Sequence, residues 1–177
     1  MSLRIPDSLA VDVTRSQRSW QMPKVIAALP IFRRSITPWL NGGFIVTVIF
    51  FDRQNLTNPL NGTTIDNSQS LRAIIGGLQY KQPFFSELIG EDGNKILLGI
   101  ATAVGCAQFS STEGTPPYLM AVSGSPEEVF GARSFLIGDT ATPVARRFCL
   151  SMEKVVEIAV DFLETGKRSD SVEWEEI

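Results

Sequence analysis

Between residues 84 and 150 the chain is a succession of short apolar stretches, each separated from the next by a turn sequence. The interruptions, such as residues 91–94 and 113–117, combine Gly, Pro, Asn and acidic residues that favour tight turns. Strands joined by short loops usually pair antiparallel, so the pattern predicts an antiparallel meander. The predicted strands are Phe84–Ile89, Lys95–Ala103, Gly105–Phe109, Tyr118–Val122, Phe130–Ile137 and Val144–Leu150.

The C-terminal segment predicts a helix followed by a last strand. Ser151 is a suitable N-cap residue, and the apolar residues from Met152 to Leu163 recur at helical spacing in one stripe. Gly166 stands where a left-handed residue commonly ends a helix. Residues 172–177, which include Trp174, alternate in polarity and therefore predict the last strand.

Further elements complete the predicted fold. Residues 68–78 carry one apolar stripe and residues 20–29 predict a shorter helix. The stretch 43–51 is apolar on both faces, which predicts a central strand covered on both sides, and residues 52–66 predict a polar loop. We therefore predict a single α+β domain over residues 1–177. Its mostly antiparallel sheet packs against two or three helices, with the C-terminal helix followed by the last strand.

The composition argues against most catalytic machinery. The chain has no histidine, which removes Ser–His and Cys–His nucleophile activation and imidazole metal ligands. Its two cysteines, Cys106 and Cys149, are far apart and lie in apolar surroundings, which favours buried thiols over a zinc site or a disulfide. No nucleotide-binding motif occurs. We predict no catalytic residue, no metal and no cofactor.

Targeting signals and charge indicate where the protein resides and which class of partner it binds. No secretory signal or membrane-spanning stretch is visible, which predicts a cytoplasmic protein without membrane contact. Residues 1–80 hold 8 basic and 4 acidic side chains (+4), whereas residues 81–177 hold 8 basic and 15 acidic ones (−7). An acidic half repels phosphate and attracts a basic partner, so direct nucleic-acid binding is not expected.

The C-terminal residues carry a family resemblance. The sequence Phe162-Leu163-Glu164-Thr165-Gly166-Lys167-Arg168, followed by Val172-Glu173-Trp174, resembles the closing signature of an immunity-protein family from bacterial polymorphic toxin systems. The resemblance covers roughly residues 95–177. Family members commonly have proline after the arginine, where this chain has Ser169.

The resemblance implies a function. Such proteins are cytoplasmic α+β inhibitors that bind a cognate toxin, often a nuclease or a nucleic-acid deaminase, and block its active site. The signature residues Phe162, Gly166, Arg168 and Trp174 are expected to serve the fold rather than the interface. The expected toxin contacts are acidic residues, namely Glu91, Asp92, Glu113, Glu127, Glu128, Glu173 and Glu175.

Two alternatives remain open at the level of sequence. The first is a small enzyme that uses C-terminal carboxylates, and it requires two of them to meet in a concave pocket. Its candidate residues are Asp170, Glu173, Glu175 and Glu176. The second alternative is a homo-oligomeric ligand-binding or scaffold domain that uses residues 52–66 as its contact. A homodimer is also compatible with the toxin-binding hypothesis.

Overall fold

The computed structural model describes residues 46–79, 81–124 and 131–177. The helix predicted for residues 20–29 and the first part of the strand predicted for residues 43–51 lie outside these ranges, as do Glu127 and Glu128. The prediction of a single domain over the whole chain therefore stays a prediction.

The described ranges contain ten strands and two helices, which we number in chain order. The strands are β1 (Val48–Asp52), β2 (Thr63–Ile65), β3 (Phe84–Gly90), β4 (Asn94–Ile100), β5 (Val104–Ser111), β6 (Leu119–Val122), β7 (Ala132–Ile137), β8 (Thr140–Ala145), β9 (Leu150–Ser151) and β10 (Glu173–Glu176). The helices are α1 (Ser68–Leu78) and α2 (Met152–Thr165), and a 3-10 turn spans Arg146–Phe148.

The sheet confirms a mostly antiparallel α+β architecture. Its main path runs β10-β6-β5-β4-β3-β1-β2, and every pair along it is antiparallel. Strands β3 to β6 form the predicted meander. The rest is not a simple meander, because β10 returns to pair with β6 and the β7–β8 hairpin joins β3 through a parallel pair, Phe84 with Leu136.

Helix α2 packs on one face of this sheet because its apolar stripe meets small residues in the strands. Ser151 caps the helix, and its Oγ accepts a hydrogen bond from the backbone N–H of Lys154 (3.2 Å). A Cβ added to Gly105 would lie 2.8 Å from Met152 Sδ and 3.0 Å from a Val155 methyl. Only a glycine at position 105 lets α2 come this close to β5.

The opposite face of the sheet is covered at one end by the β7–β8 hairpin. Phe135 of the hairpin lies against Phe85 of β3, with ring centroids 5.4 Å apart. Cys106 and Cys149 are both buried among the apolar residues of this face, and no disulfide joins them. Burial raises the pKa of the Cys106 thiol, and the neighbouring Cys149 raises it further, which keeps Cys106 protonated and unreactive.

Three local predictions were wrong in detail. Strand β1 is an interior strand, paired with β3 on one side and β2 on the other, but only one of its faces is fully buried. The predicted loop 52–66 ends in β2, because the Asp52 carboxylate and the Asn61 side chain fold the chain back onto β1. The predicted strand 144–150 is interrupted by the 3-10 turn, which the Cys149 N–H closes by bonding to the Arg146 carbonyl (2.9 Å).

Candidate functional site

Three of the four signature residues, Phe162, Gly166 and Trp174, close helix α2 and anchor it to the sheet. Gly166 has φ 68° and its N–H donates to the Phe162 carbonyl (2.8 Å), so it is the left-handed cap of α2. A Cβ at position 166 would lie 3.0 Å from an Asp92 carboxylate oxygen, and the Asn94 side chain donates to the Gly166 carbonyl (3.0 Å). The cap is therefore held by the turn between β3 and β4.

Trp174 continues the same structural unit. Its ring lies edge-on to Phe109 (centroids 6.3 Å apart), and Phe109 lies edge-on to Phe162 (6.2 Å). The indole Nε1 donates to the Ser169 carbonyl (2.8 Å), and the Ser169 hydroxyl bonds to the Asp161 carboxylate. Ser169, where the family commonly has proline, thus supports the turn through hydrogen bonds.

Arg168, the fourth signature residue, is exposed to solvent. Within the part of the chain that the structure describes, no carboxylate lies within ion-pair distance of it. Arg168 therefore differs from the other three signature residues, which are packed or hydrogen-bonded.

Three of the predicted contact residues lie together at one end of the sheet. We call Glu91, Asp92 and Glu113 the acidic turn cluster. The β3–β4 turn and the segment after β5 are joined by two hydrogen bonds, from the Thr112 N–H (2.8 Å) and hydroxyl (3.0 Å) to the Gly93 carbonyl. All three carboxylates are exposed, so they form a solvated anionic rim.

The other two described contact candidates lie elsewhere, on the edge strand β10. Trp174 faces the helices, so Glu173 and Glu175 face the opposite side of the sheet. Glu175 pairs with Arg147 (2.8 Å), whose guanidinium lies 4.5 Å from the centre of the Phe148 ring. The structure therefore does not bring all the predicted acidic residues into one patch.

A charged cluster that the sequence analysis missed lies on the sheet face opposite the helices. Glu87 of β3 is buried, with its side chain 4% exposed, yet it sits between two cations. Its Oε1 is 3.2 Å from Lys95 Nζ, and its Oε2 forms an ion pair with Arg53. The Arg53 guanidinium also lies 5.5 Å from the centre of the Phe51 ring.

Burial changes the protonation balance of this cluster. Loss of hydration lowers the pKa of Arg53 and that of Lys95. The charge of Arg53 lowers the pKa of Lys95 further, whereas Tyr118 opposes the shift. The cluster thus holds two partly dehydrated cations against one carboxylate and carries a net charge of +1.

The comparisons with known proteins agree with the C-terminal signature. The family model of immunity protein Imm1 matches residues 79–176, just over half of the chain. The chain belongs to the Imm1 family. A search of curated proteins finds no match. The matched region begins at the end of α1 and runs through β10, so it contains the signature, the acidic turn cluster and two members of the charged cluster, Glu87 and Lys95.

Membership of the Imm1 family favours a binding role over catalysis, and the carboxylate geometry agrees. Glu173 and Glu175 face one side of β10 while Glu176 faces the other, and none of the three is fully buried. A pocket of about 210 Å³ lies beside the 52–62 loop, but its lining contains none of the proposed catalytic carboxylates. Its lining residues are Asp52, Gln54, Asn55, Lys81, Gln82, Phe84 and Leu136.

Among residues 46–79, 81–124 and 131–177, no three Cys, Asp or Glu side chains come together as metal ligands. Neither helix of the described ranges is long and apolar enough to cross a membrane.

Sequence reasoning missed Glu87 because it lies in an otherwise apolar strand and looks like a solvent-facing residue. The one available signal was an acidic residue at the centre of an apolar stretch, which demands a partner if it is buried. Its partners Arg53 and Lys95 come from other parts of the chain, so only the strand register brings the three together.

Proposed function

We propose that this Imm1-family chain binds a cognate bacterial toxin in the cytoplasm and neutralises it by blocking its active site. The observation that carries the proposal is the match of residues 79–176 to the family of immunity protein Imm1. We propose further that the toxin acts on nucleic acid, as a nuclease or a deaminase, which is what the acidic surface of the C-terminal half favours.

The acidic turn cluster supports this choice of partner. An enzyme that binds nucleic acid needs a basic cleft to hold the phosphate backbone. Exposed carboxylates at Glu91, Asp92 and Glu113 would attract such a cleft, speed the encounter and compete with the phosphates for the same cations. On this proposal the chain itself does not bind nucleic acid.

The first experiment is co-expression of this chain with the protein encoded immediately upstream of it. We expect the upstream protein to be toxic alone, growth to be restored by this chain, and the two proteins to co-purify. An upstream protein that is harmless, or one that stays toxic and unbound in the presence of this chain, would disprove the proposed function.

The second experiment locates the anionic contact. The triple variant Glu91→Gln/Asp92→Asn/Glu113→Gln should slow association with the toxin by about tenfold or more at low salt, and the loss should shrink as salt rises. The matched control Glu153→Gln/Glu157→Gln/Asp170→Asn removes the same charge elsewhere on the surface and should bind nearly as the wild type does. Equal losses in both variants would mean that net charge, not position, matters.

The remaining predicted contacts need separate variants. Glu173→Gln/Glu175→Gln tests the β10 edge, and Glu127→Gln/Glu128→Gln tests residues outside the described ranges. A homodimer stays a prediction, and sedimentation of the free chain at several concentrations tests it.

A further inference from the structure

The charged cluster lies in a partly open, mostly apolar part of the sheet face opposite the helices. Strand register places Phe51, Glu87 and Leu97 side by side across β1, β3 and β4, and the next row holds Ile49 and Lys95. We call Ile49, Phe51, Arg53, Lys95 and Leu97 the cationic patch. All five residues are half-buried, so each keeps part of its surface accessible.

The patch has an unusual balance of charge for its surroundings. The side chains of Arg53 and Lys95 remain 36% and 22% exposed, but the one carboxylate that they share is already buried between them. Half-buried cations have lost hydration that one shared carboxylate does not fully replace. A second carboxylate arriving from outside would meet both cations without displacing Glu87.

The patch also borders the acidic turn cluster. Glu91 follows β3 directly, and its carboxylate accepts a hydrogen bond from the hydroxyl of Thr47, just before β1. An apolar, cationic centre with an anionic rim is the arrangement of a protein-binding surface, in which arginine and aromatic side chains supply most of the binding energy.

We infer that the cationic patch is the centre of the partner-binding surface and receives an aspartate or glutamate of the protein partner, flanked by apolar side chains. The inference rests on the proposed function and adds the chemistry of the partner segment. A carboxylate of a protein partner suits the site better than a phosphate of nucleic acid, because the anionic rim and the net charge of −3 repel a polyanion.

The main test removes the patch without leaving a buried charge unpaired. The variant Arg53→Met/Glu87→Leu/Lys95→Met deletes all three charges and lowers the net charge by one. Arg72→Met on α1 is exposed and changes the net charge by the same amount, so it is the matched control. We expect the triple variant to bind the upstream-encoded toxin at least about 30-fold more weakly, mostly through faster dissociation, and the control to stay within about twofold.

A second measurement reports the carboxylate directly and does not need the triple variant to fold. Zero-length carbodiimide cross-linking of the wild-type complex, mapped by mass spectrometry, should join Lys95 to an aspartate or glutamate of the toxin. The single variant Lys95→Gln should lose that cross-link and bind about tenfold more weakly. A complex in which Lys95 is not cross-linked to the toxin contradicts the inference.

The outcomes separate the two proposals. If the wild-type chain does not bind the toxin, the proposed function fails and this inference fails with it. If the wild type binds and the folded triple variant binds within about threefold of it, only the inference is overturned. If the free chain binds duplex DNA and the triple variant does not, the patch contacts nucleic acid instead, and the inference is overturned as well.

Discussion

Along β3, even-numbered side chains face the two helices and odd-numbered side chains face the other way, so adjacent residues experience different surroundings. Leu88 is fully buried in the core formed with α1 and α2. Glu87, its neighbour, is almost as buried but lies on the opposite face with two cations around it. The helix-covered face is held by apolar packing, whereas the opposite face combines apolar packing at one end with a charged cluster at the other.

The two faces are therefore stabilised in different ways, and the inference above assigns partner binding to the charged one. Apolar burial is non-directional and stabilises the fold wherever the area is covered. A buried ion pair contributes little net stability because dehydration offsets the attraction. The cluster of Arg53, Glu87 and Lys95 therefore adds little net stability to the fold, which fits the binding role inferred above. If so, substitutions on the two faces should differ in their effect on the free energy of unfolding.

Removing packing from the helix-covered face should lower the free energy of unfolding the most. Phe162→Ala deletes a side chain that is fully buried against Phe109 and should lower the free energy of unfolding by about 3–5 kcal/mol. Leu56→Ala, at a side chain that is 77% exposed, is the control and should change it by less than about 0.5 kcal/mol. Urea unfolding followed by circular dichroism measures both. Similar losses for the two variants would contradict the assigned core.

On the charged face, the free energy of unfolding should fall when Glu87 loses its two cationic partners and recover when its carboxylate is removed as well. Arg53→Met/Lys95→Met leaves the Glu87 carboxylate buried and unpaired, and should cost about 3 kcal/mol. Adding Glu87→Leu should bring the free energy of unfolding back to within about 1 kcal/mol of the wild type. The same unfolding measurement applies to both variants. A triple variant that is as unstable as the double variant would show that the ion pairs themselves hold the fold.

Two glycines distinguish tight packing from open space. Gly105→Ala should destabilise by about 1–3 kcal/mol, because the new Cβ would lie 2.3 Å from the Gly99 carbonyl oxygen. Gly76→Ala in α1 has nothing within 4 Å of the new Cβ and should stabilise by about 0.5–1 kcal/mol. Thermal unfolding of each variant checks the opposite signs. The same sign in both would refute the tight packing of Gly105 against Gly99 of β4 and Met152 of α2.

The smallest effect concerns pH. Lys95 has a lowered pKa in the folded chain, so between that pKa and 10.5 the unfolded state binds more protons. The free energy of unfolding should therefore rise with pH in that interval, and Lys95→Met should remove this part of the slope. Urea unfolding of both chains from pH 7 to 10 measures the difference, which would stay constant with pH if burial did not disfavour the charged lysine.

The accuracy of the predictions depended on the range of the interactions involved. Residues 68–78 were predicted as a helix and form α1, because the apolar stripe repeats every turn and Asn67 caps the first one. The strand predicted over residues 144–150 was right only at its ends, because residues 144–145 belong to β8, Leu150 belongs to β9 and the 3-10 turn Arg146–Phe148 separates them. The local pattern of residues 144–150 does not show the turn, which is closed by the Cys149 N–H bond to the Arg146 carbonyl. Arg147 there contacts the Phe148 ring and pairs with Glu175 of the distant strand β10.

Helix α2 and its caps at Ser151 and Gly166 could be predicted from local sequence, as could the family signature, because capping and periodicity act within a few residues of the chain. The tertiary structure alone decided that Arg53, Glu87 and Lys95 meet. Each residue is an ordinary charged side chain in sequence. The antiparallel register of β1, β3 and β4 sets which face and which neighbours each receives, and a slip of one residue would have turned Glu87 toward the helices.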